Sequence, residues 1–536
     1  FISNAKVVVG HNIIAHDLEH IGNLDPRNPL SSKPVLDTLR LSPICFPENP
    51  YHKLVKGYKL EGDSRSDPIK DCELAHALLN DEINALSRLN IKHPELASGY
   101  RKILSETENQ LEKEGLDIFF DEIGVKKLTK DEDLKEILKK YLHGKVCEQA
   151  FLSLVEDDLF KKDYHAYLLS WLLVAGSNSI LPHWVCHQYP QVLDLVYKLR
   201  ETPCENTSCE FCLENHSSEK QLKKFFGFDS YRMEPATVDG NSLQKSIVEA
   251  GLRGQPILAI LPTGGGKSLC FQIPALVNHF RSGGLTIVLS PLQALIKDQV
   301  DNLREQTGMH SSIDAIYGLQ TGPERGGVYE RLYGGDTAIL YVSPEQLRNK
   351  RFKEAIAKRQ ISRWVFDEAH CLSKWGHDFR PDYTYAGRFI RELSQRQGVP
   401  IPPISCLTAT AKNDVKQELL QYFEKELNQS LELLDGGTER SNLSYDVSIV
   451  SEPQKPFRAH ELLLDHLPSR KEGAAVVFCS TRASVERLAG FLEEREWEVA
   501  PFHAGIATEE KGRLLEAFNS GDLQVICATN AFGMGV

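Results

Sequence analysis

The amino-acid sequence predicts an α/β protein of several domains, and two observations support this class. An apolar stretch at residues 256–261 runs into a glycine loop and then into the apolar pattern of a helix, which is the order strand, loop, helix. A second apolar run, at residues 361–366, reads as a buried strand and ends on the acidic pair Asp367-Glu368. The length of 536 residues corresponds to about three or four domains.

The glycine loop reads Leu-Pro-Thr-Gly-Gly-Gly-Lys-Ser at residues 261–268. Its glycines let backbone N–H groups close around phosphate oxygens, and the start of the following helix adds partial positive charge. Lys267 can reach the β- and γ-phosphates of ATP, and the Ser268 hydroxyl can hold Mg²⁺. The predicted ATP-binding residues of the loop are Thr263, Gly264, Gly265, Gly266, Lys267 and Ser268. Alone, the run could equally be a glycine-rich turn before a helix.

The acidic pair decides between these interpretations. Loops at the carboxyl edge of a parallel sheet are where ligands bind. There Asp367 can hold Mg²⁺ through water, and Glu368 can polarise the water that attacks the γ-phosphate. Without the glycine loop, the pair would be interpreted as part of a solvated loop. With it, the predicted catalytic residues of a nucleotide hydrolysis site are Lys267, Asp367, Glu368 and His370.

The segment after the acidic pair combines aromatic and cationic residues. Trp375 and Phe379 stand beside Lys374 and Arg380. Aromatic faces stack on unpaired bases and cations follow phosphates, which suits a single strand of nucleic acid. Trp375 could instead be a core residue, but a polar segment that contains Gly and Pro is a poor core strand. We therefore expect Trp375, Phe379 and Arg380 to contact a single strand of nucleic acid; a family resemblance described below implies that they couple DNA to the nucleotide site.

Residues 226–536 resemble the RecQ family of superfamily 2 DNA helicases, whose motifs follow one another in the expected order. Besides the glycine loop and the Asp-Glu-Ala-His run, the matching segments are 290–295 with 298–299, 341–345, 407–411, 476–482, 502–505 and 528–535. The resemblance implies that the first two of these segments contact DNA and that 407–411 couples the nucleotide state to strand movement. It also implies that the last three belong to a second motor lobe.

An adenine-recognition motif belongs to the same resemblance. It implies that Phe228 and Arg232 sandwich the base and that Gln244 hydrogen-bonds it. Roughly ten residues more than usual separate Arg232 from Gln244. At the other end, the sequence stops at Val536, before the motif that supplies the family's arginine finger, which can contribute ~10³-fold or more in rate. Since Phe1 also opens without an initiator Met, we expect an internal fragment of a longer protein.

Residues 1–90 are predicted to be an α/β unit of their own. A short strand, a Gly-His-Asn run, an apolar pair, Asp17 and an apolar helix face resemble the second motif of DnaQ-like 3′→5′ exonucleases, which implies a partial RNase H-like fold. The resemblance makes Asp17 and Asp71 two of the carboxylates that clamp metal ions. Ser66 stands where many members carry a catalytic His, so exonuclease activity is expected to be weak or absent. A degenerate DNA-binding or scaffolding domain is an almost equally supported alternative.

A charge-rich region of helical period, residues 91–203, comes next and shows no site. Residues 204–225 then begin with four potential metal ligands, Cys204, Cys209, Cys212 and His216. Three thiolates and an imidazole suit tetrahedral Zn²⁺, and the neighbouring Pro, Asn and Thr suit a loop. We expect a structural zinc site, with coincidental cysteines in a loop as the alternative.

The composition is that of a globular protein, with 41% hydrophobic and 25% charged residues. The net charge of −12 does not indicate nucleic-acid binding, so any DNA path must be a local basic stripe. The longest apolar stretch, residues 166–176, is too short to span a bilayer and is expected to be a buried helix. Nine of the twelve cysteines are scattered through strand- or helix-like segments, so we expect a cytoplasmic location, nucleoid-associated in a bacterium. Because no apolar stretch is long enough to span a bilayer, we expect no membrane partner.

The resemblance implies an ATP-dependent helicase that moves 3′→5′ on single-stranded DNA, opens duplex junctions and serves DNA repair or recombination. Residues 226–440 would form an ATP-binding RecA-like lobe, and residues 441–536 part of a second RecA-like lobe. One alternative is an RNA-dependent or remodelling ATPase, since the glycine loop and acidic pair are shared across the superfamily. Another is a non-enzymatic docking role for the N-terminal and cysteine-bearing regions.

Overall fold

The computed structural model divides the chain into two compact units, Phe1–Thr438 and Glu439–Val536. The division falls next to the predicted boundary between residues 440 and 441. The structure describes residues 5–25, 28–49, 68–156, 161–176, 179–204, 206–237, 239–291, 293–318, 320–373, 381–409, 412–437, 443–467, 473–529 and 532.

The first unit opens with a small α/β block. Its elements are β1 (Val8–Gly10), α1 (Leu18–Leu24), β2 (Val35–Asp37), α2 (Thr38–Cys45) and α3 (Pro68–Lys92). Strands β1 and β2 pair in parallel, with Gly10 opposite Asp37. The buried Asp37 carboxylate accepts the backbone N–H groups of Asn12 at 2.8 Å, Ile14 at 3.2 Å and Leu39 at 3.0 Å. Asp37 therefore caps α2 and fixes the turn that follows β1.

The region between this block and the cysteines is mostly helical, as predicted. Its helices are α4 (Pro94–Leu104), α5 (Gln110–Glu122), α6 (Asp131–Leu142), α7 (Glu148–Glu156), α8 (His165–Val174), α9 (His183–Gln188) and α10 (Gln191–Val196). One hydrophobic core with members from Leu36 to Leu199 includes both segments, and α3 runs across the predicted boundary at residues 90 and 91. The N-terminal block and the helical region thus pack around a shared core.

Helix α8 is the buried helix that the apolar stretch predicted. Trp171 is 2% exposed, and Leu168 and Leu172 are fully buried. Across the part of the chain that the structure describes, no helix is both long and apolar enough to cross a membrane.

A seven-stranded parallel sheet forms the centre of the first unit. Its strands are β3 (Ile257–Ile260), β4 (Leu285–Leu289), β5 (Ile313–Ile316), β6 (Ile339–Val342), β7 (Ile361–Asp367), β8 (Ile404–Thr408) and β9 (Glu432–Asp435), in the spatial order β5-β6-β4-β7-β8-β3-β9. The helices are α11 (Glu210–Asn215), α12 (Ser218–Phe226), α13 (Leu243–Leu252), α14 (Lys267–Ser282), α15 (Gln293–Thr307), α16 (Gly322–Gly334), α17 (Lys350–Ile356), α18 (Pro381–Gln397) and α19 (Asn413–Leu427). This is the α/β architecture that the sequence predicted.

Strands β3 to β8 of the sheet are buried on both faces, whereas the edge strand β9 is largely exposed. Because side chains alternate along a strand, Trp364 and Phe366 of β7 enter one hydrophobic core whereas Val365 enters the other. Strand β7 is the buried strand predicted from residues 361–366. With its faces covered, the sheet presents polar ligand-binding groups at its ends rather than on its faces.

The second unit contains a smaller parallel sheet. Its elements are α20 (Lys455–His466), β10 (Ala475–Phe478), α21 (Arg482–Glu493), β11 (Val499–Phe502), α22 (Thr508–Ser520) and β12 (Val525–Ala528), with the strands in the order β10-β12-β11. Central strand β12 sends Val525 and Cys527 into one core and Ile526 and Ala528 into the other. Residues 476–482 form a strand followed by a loop, as predicted.

Arg363 is a buried cation that braces the large sheet. It is 1% exposed, and it donates to the carbonyl oxygens of Gly251 at 2.8 Å and Gln255 at 3.0 Å and to Ser405 Oγ at 2.8 Å. Burial lowers the pKa of Arg363 to about 10, so the side chain stays charged at neutral pH. These bonds connect β7 to β8 and to the turn that precedes β3.

Replacing Arg363 by Met should lower the free energy of unfolding by about 3 kcal/mol, because a buried carbonyl, a part-buried carbonyl and a buried hydroxyl lose their donor. Arg388→Met is the matched control. Arg388 is 64% exposed and pairs with Glu392 on a helix surface, so its loss should change stability by less than about 0.5 kcal/mol. Guanidinium unfolding followed by circular dichroism measures both, and equal shifts would contradict the bracing role.

Candidate nucleotide-binding site

The glycine loop connects β3 to α14, as the sequence predicted. Strand β3 ends at Ile260 and α14 begins at Lys267. Gly264 and Gly266 have φ angles of 81° and 76°, which would cost a residue with a Cβ roughly 1–2 kcal/mol. Gly266 is the N-cap of α14. The two glycines therefore allow the tight turn that leads into α14, a helix of 16 residues. The first backbone N–H groups of this helix point toward the loop, where a bound anion can accept their hydrogen bonds.

Strand β7 brings the acidic pair to the same edge of the sheet. Strand β8 lies between β3 and β7, with Leu407 opposite Asp367. All three strands are parallel, so their carboxyl ends lie side by side. The Nζ atom of Lys267 lies 3.0 Å from Oε1 of Glu368. The structure thus joins the two runs that the sequence predicted to act together.

Glu368 has an unusual backbone and a strongly acidic side chain. Its φ of 47° lies in the left-handed region, which costs a non-glycine residue on the order of 1–2 kcal/mol and is typical of functional sites. Burial acts to raise the pKa of Glu368, but a hydrogen bond with His370 and the charge of Lys267 outweigh it and lower the pKa to about 2. Glu368 is therefore ionised at neutral pH.

Asp367 is the more deeply buried member of the pair, at 5% exposure. Its Oδ2 accepts a hydrogen bond from Gln299 Nε2 at 3.1 Å, and its Oδ1 accepts the backbone N–H of Glu368 at 3.1 Å. Burial, followed by the charge of Glu368, raises the pKa of Asp367. A divalent cation stabilises the ionised forms of two adjacent carboxylates, above all when one of them is buried. The carboxylates of Asp367 and Glu368 therefore fit Mg²⁺, which prefers oxygen ligands.

His370 connects the acidic pair to strand β8. Its Nδ1 lies 3.0 Å from Thr408 Oγ1 and 3.3 Å from Glu368 Oε2. Hydrogen bonds with the side chains of Cys371 and Glu368 raise the pKa of His370 to about 10, so the ring is a cation at neutral pH. The ionised Glu368 therefore lies between two cations, Lys267 and His370.

Two residues of the predicted adenine motif lie against the glycine loop. Gln244, which is 1% exposed, accepts the backbone N–H of Arg232 at 3.1 Å and donates to the carbonyl of Gly266 at 3.1 Å. The Arg232 guanidinium donates to the carbonyl of Gly264. The third residue, Phe228, is 51% exposed. Recognition of adenine by these three residues stays a prediction.

The extra residues between Arg232 and Gln244 form a turn that closes on itself. An isolated antiparallel bridge pairs Ala236 with Ser242, and Gly240 in the turn has a φ of 77°. Ala236 and Ser242, at the two ends of the turn, are therefore adjacent to each other. This explains how Gln244 reaches the loop despite the longer spacing.

Several predicted positions lie outside the described residues. Among them are Trp375, Phe379 and Arg380, which belong to residues 374–380. The same holds for residues 292, 410–411, 530–531 and 533–536 of the other predicted motifs. In the second unit, His503 follows β11, and its Nε2 lies 2.7 Å from Glu486 Oε1.

The predicted nuclease carboxylates stand on different elements. Asp17 ends the helical turn Ile13–Asp17, is about half-exposed and lies 3.2 Å from His16 Nδ1. Asp71 lies in the first turn of α3. Among the described residues, neither belongs to a group of three or more His, Cys, Asp or Glu side chains close enough to share a metal ion. Ser66 lies outside the described residues, so the nuclease interpretation stays a prediction.

The structure corrects one member of the predicted zinc set. His216 is not part of the group of potential ligands, because its Nδ1 lies 2.6 Å from Arg281 Nη1 and its ring packs against Phe211. Burial and the charge of Arg281 lower the pKa of His216 to about 3, so the neutral ring accepts the hydrogen bond. Cys147 takes the fourth position instead. The group is Cys147, Cys204, Cys209 and Cys212.

Comparisons with known families agree with this geometry. Residues 241–419 match the DEAD/DEAH box helicase model, and residues 458–536 match the Helicase conserved C-terminal domain model. The first match includes the glycine loop, the acidic pair and Thr408. The second includes β10, β11 and β12. The two parallel sheets are therefore RecA-like helicase lobes.

Individual relatives extend the similarity. The ATP-dependent DNA helicase RecQ of Haemophilus influenzae is 35% identical over 325 residues, which is 60% of this chain and 47% of that protein. The probable ATP-dependent DNA helicase RecS of Bacillus subtilis is 33% identical over 319 residues, 59% of this chain and 58% of that protein. The crystal structure of the DUF1998 helicase MrfA bound to DNA has a TM-score of 0.45 at 19% identity, covering 59% of this chain and 42% of that one. The chain spans about half the length of the curated relatives it matches.

Replacing Lys267 by Ala should lower ATP turnover at least about a hundredfold, because the phosphates lose their cation. Lys350→Ala, which removes a lysine that is 91% exposed, is the matched control and should hydrolyse ATP normally. Steady-state turnover of the full-length protein measures the effect, and circular dichroism checks that both variants fold. Near-normal turnover in Lys267→Ala would refute the nucleotide site.

Proposed function

We propose that this chain, whose two lobes carry the DEAD/DEAH box and C-terminal helicase domains, is the ATP-driven motor of a RecQ-type DNA helicase. The observation that carries the proposal is the contact between Lys267 and Glu368 at the edge of a parallel sheet, with Asp367 buried beside it. The names of the RecQ and RecS relatives, both ATP-dependent DNA helicases, support it. Movement in the 3′→5′ direction and a role in repair or recombination belong to the same proposal.

The proposed cofactor is Mg²⁺ bound together with ATP. Mg²⁺ prefers oxygen ligands and keeps several of its waters. The donors present fit this preference, since Asp367 offers a carboxylate and Ser268 a hydroxyl at the start of α14. When bound, Mg²⁺ neutralises charge on the β- and γ-phosphates. A nearby cation would also stabilise the ionised form of Asp367, which burial disfavours.

Lys267 has two competing partners in this proposal. It pairs with Glu368, and a triphosphate on the glycine loop would offer it a larger negative charge. Transfer of Lys267 to the phosphates would remove a cation from beside Glu368 and raise the pKa of that carboxylate. Glu368 would then be free to accept a proton from the attacking water. ATP binding itself would thus activate the base.

His370 provides a route from hydrolysis to DNA. It contacts both Glu368 and Thr408, and Thr408 lies in the segment expected to couple the nucleotide state to strand movement. A change in the partners of Glu368 would therefore alter the contacts at the end of β8. We assign the DNA contact to Trp375, Phe379 and Arg380, which follow in the sequence.

Single-stranded DNA should stimulate ATP hydrolysis by the full-length protein more strongly than RNA of the same length. Trp375→Ala and Arg380→Ala should each reduce that stimulation about tenfold with little loss of ATP binding, since a stacked base contributes about 1–3 kcal/mol. Tyr197→Ala, which removes an aromatic ring that is 61% exposed in the helical region, is the control.

Two results would contradict this assignment. Equal stimulation by RNA would favour an RNA-dependent or remodelling ATPase. Unchanged stimulation by DNA in both Trp375→Ala and Arg380→Ala would exclude this segment as the DNA sensor. Fluorescence of a bound ATP analogue separates either result from a loss of nucleotide binding.

A further inference from the structure

Cysteines from two distant segments meet at one point, which we call the cysteine cluster. Its members are Cys147, Cys204, Cys209 and Cys212. Their sulfur atoms all lie within 4.8 Å of one another, and the sulfurs of Cys204 and Cys212 are 3.7 Å apart. A tetrahedral Zn²⁺ ion with Zn–S bonds of about 2.3 Å holds its sulfur ligands about 3.8 Å apart. We propose that the cysteine cluster binds one structural Zn²⁺ ion that fastens the helical region to the first motor lobe.

The distances distinguish a single tetrahedral ion from other uses of four cysteines. All four are free thiols, and the 3.7 Å separation is far longer than the roughly 2.05 Å of a disulfide. A four-iron cluster would bind each thiolate to a different iron and hold the sulfurs further apart than a single ion does. One tetrahedral ion is therefore the occupant that fits. Four protein ligands leave no open position, so the role is structural.

The local backbone holds the four sulfurs in place. Cys147 directly precedes α7, and its backbone N–H donates to the carbonyl of Leu199 at 2.8 Å. The backbone N–H of Cys204 lies 3.5 Å from the sulfur of Cys212. Cys209 N-caps α11 and Cys212 lies within that helix. The cluster is thus fixed by secondary structure on both contributing segments.

Charge next to the cluster supports ionised ligands. Cys147, Cys209 and Cys212 share a small buried core with Phe211, and the guanidinium of Arg200 stacks on the Phe211 ring at 5.0 Å. Phe211 also contacts His216, which pairs with the buried Arg281. A zinc ion with four thiolates carries a net charge of −2, from one charge of +2 and four of −1. The buried Arg200 guanidinium on the Phe211 ring provides opposite charge beside the cluster, whereas Arg281 shares its charge with Glu201.

The same arginines connect the helical region to the motor lobe. Arg200 donates to the carbonyl of Lys145 on one side and to the carbonyl of Phe280 at 3.2 Å on the other. Arg281 is 1% exposed and lies 2.9 Å from Glu201. Phe280 and Arg281 form the end of α14, the helix that begins at the glycine loop. The zinc ion would therefore stabilise the contact that holds the far end of the nucleotide-binding helix.

The ion would also cross-link two cysteines that are far apart in the sequence. Cys147 and Cys204 are 57 positions apart (204 − 147), and the helices between them contribute to the core shared with the N-terminal block. A single cross-link of this span restricts the unfolded chain, which is the physical basis of stabilisation by structural zinc. This inference rests on the cysteine cluster and does not depend on the proposed helicase function.

Elemental analysis of the full chain, purified without added chelator, should find about one zinc ion per chain. Cys147→Ser should lower the zinc content at least about tenfold, because a protein ligand is lost. His216→Gln should keep its zinc. Cys186→Ser is the matched control, since Cys186 lies in the helical region but outside the cluster, and it should also keep its zinc.

Two further measurements cover the case in which Cys147→Ser does not fold. Titration of the unmodified chain with a mercurial thiol reagent should release one zinc ion as the cluster thiols react. After exchange of zinc for Co²⁺, the visible spectrum should be that of tetrahedral cobalt with four sulfur ligands. The absence of stoichiometric zinc, iron in its place, or a cobalt spectrum of three sulfurs and one nitrogen would overturn the proposal. Zinc lost from His216→Gln but kept in Cys147→Ser would overturn it as well.

Discussion

Burial of strands β3 to β8 of the large sheet on both faces is the constraint from which the site follows. Alternate side chains of β7 enter two separate hydrophobic cores, so neither face can carry a polar group that binds a ligand. Such groups collect where strands end. Because β3, β8 and β7 are neighbours and parallel, their carboxyl ends bring Lys267, Thr408 and Glu368 together from distant parts of the sequence. Arg363 braces the same strands from within the sheet.

At that edge the charges form a connected series. Lys267 contacts Glu368, Glu368 contacts His370, and His370 contacts Thr408 at the end of β8. The pKa of Glu368 is lowered and that of His370 is raised, so each stabilises the charged form of the other. A change at one end of such a series alters the electrostatics at the other. The proposed coupling between nucleotide and DNA is transmitted through this series of contacts.

The sequence predicted the parts of the site whose chemistry is local. The glycine loop and the acidic pair are contiguous runs after apolar strands, and their positions at the sheet edge are confirmed. The contact of Gln299 with Asp367 was not predicted, because no spacing rule links a residue of α15 to the end of β7. Gln244 reaches the loop only through a turn that closes on itself, which the longer spacing did not reveal.

The cysteine cluster shows where sequence proximity misleads. His216 was chosen as a zinc ligand because it stands four residues after Cys212, yet the folded chain pairs it with the buried Arg281. Cys147 lies far away in sequence and reaches the cluster because its backbone N–H bonds to the carbonyl of Leu199, five residues before Cys204. The shared core of residues on both sides of position 90 has the same origin. These features depend on tertiary packing, for which the sequence carried no local signal.

In the proposed function, the contact of Lys267 with Glu368 marks a site of ATP hydrolysis. The most direct measurement combines ATP affinity with the single-turnover rate in Glu368→Gln, a change that keeps the shape of the side chain and removes its charge. We predict that ATP still binds with near-normal affinity while the hydrolysis rate falls by ~10²–10⁴-fold, the range of a lost general base. Hydrolysis at the normal rate with bound ATP would contradict the account.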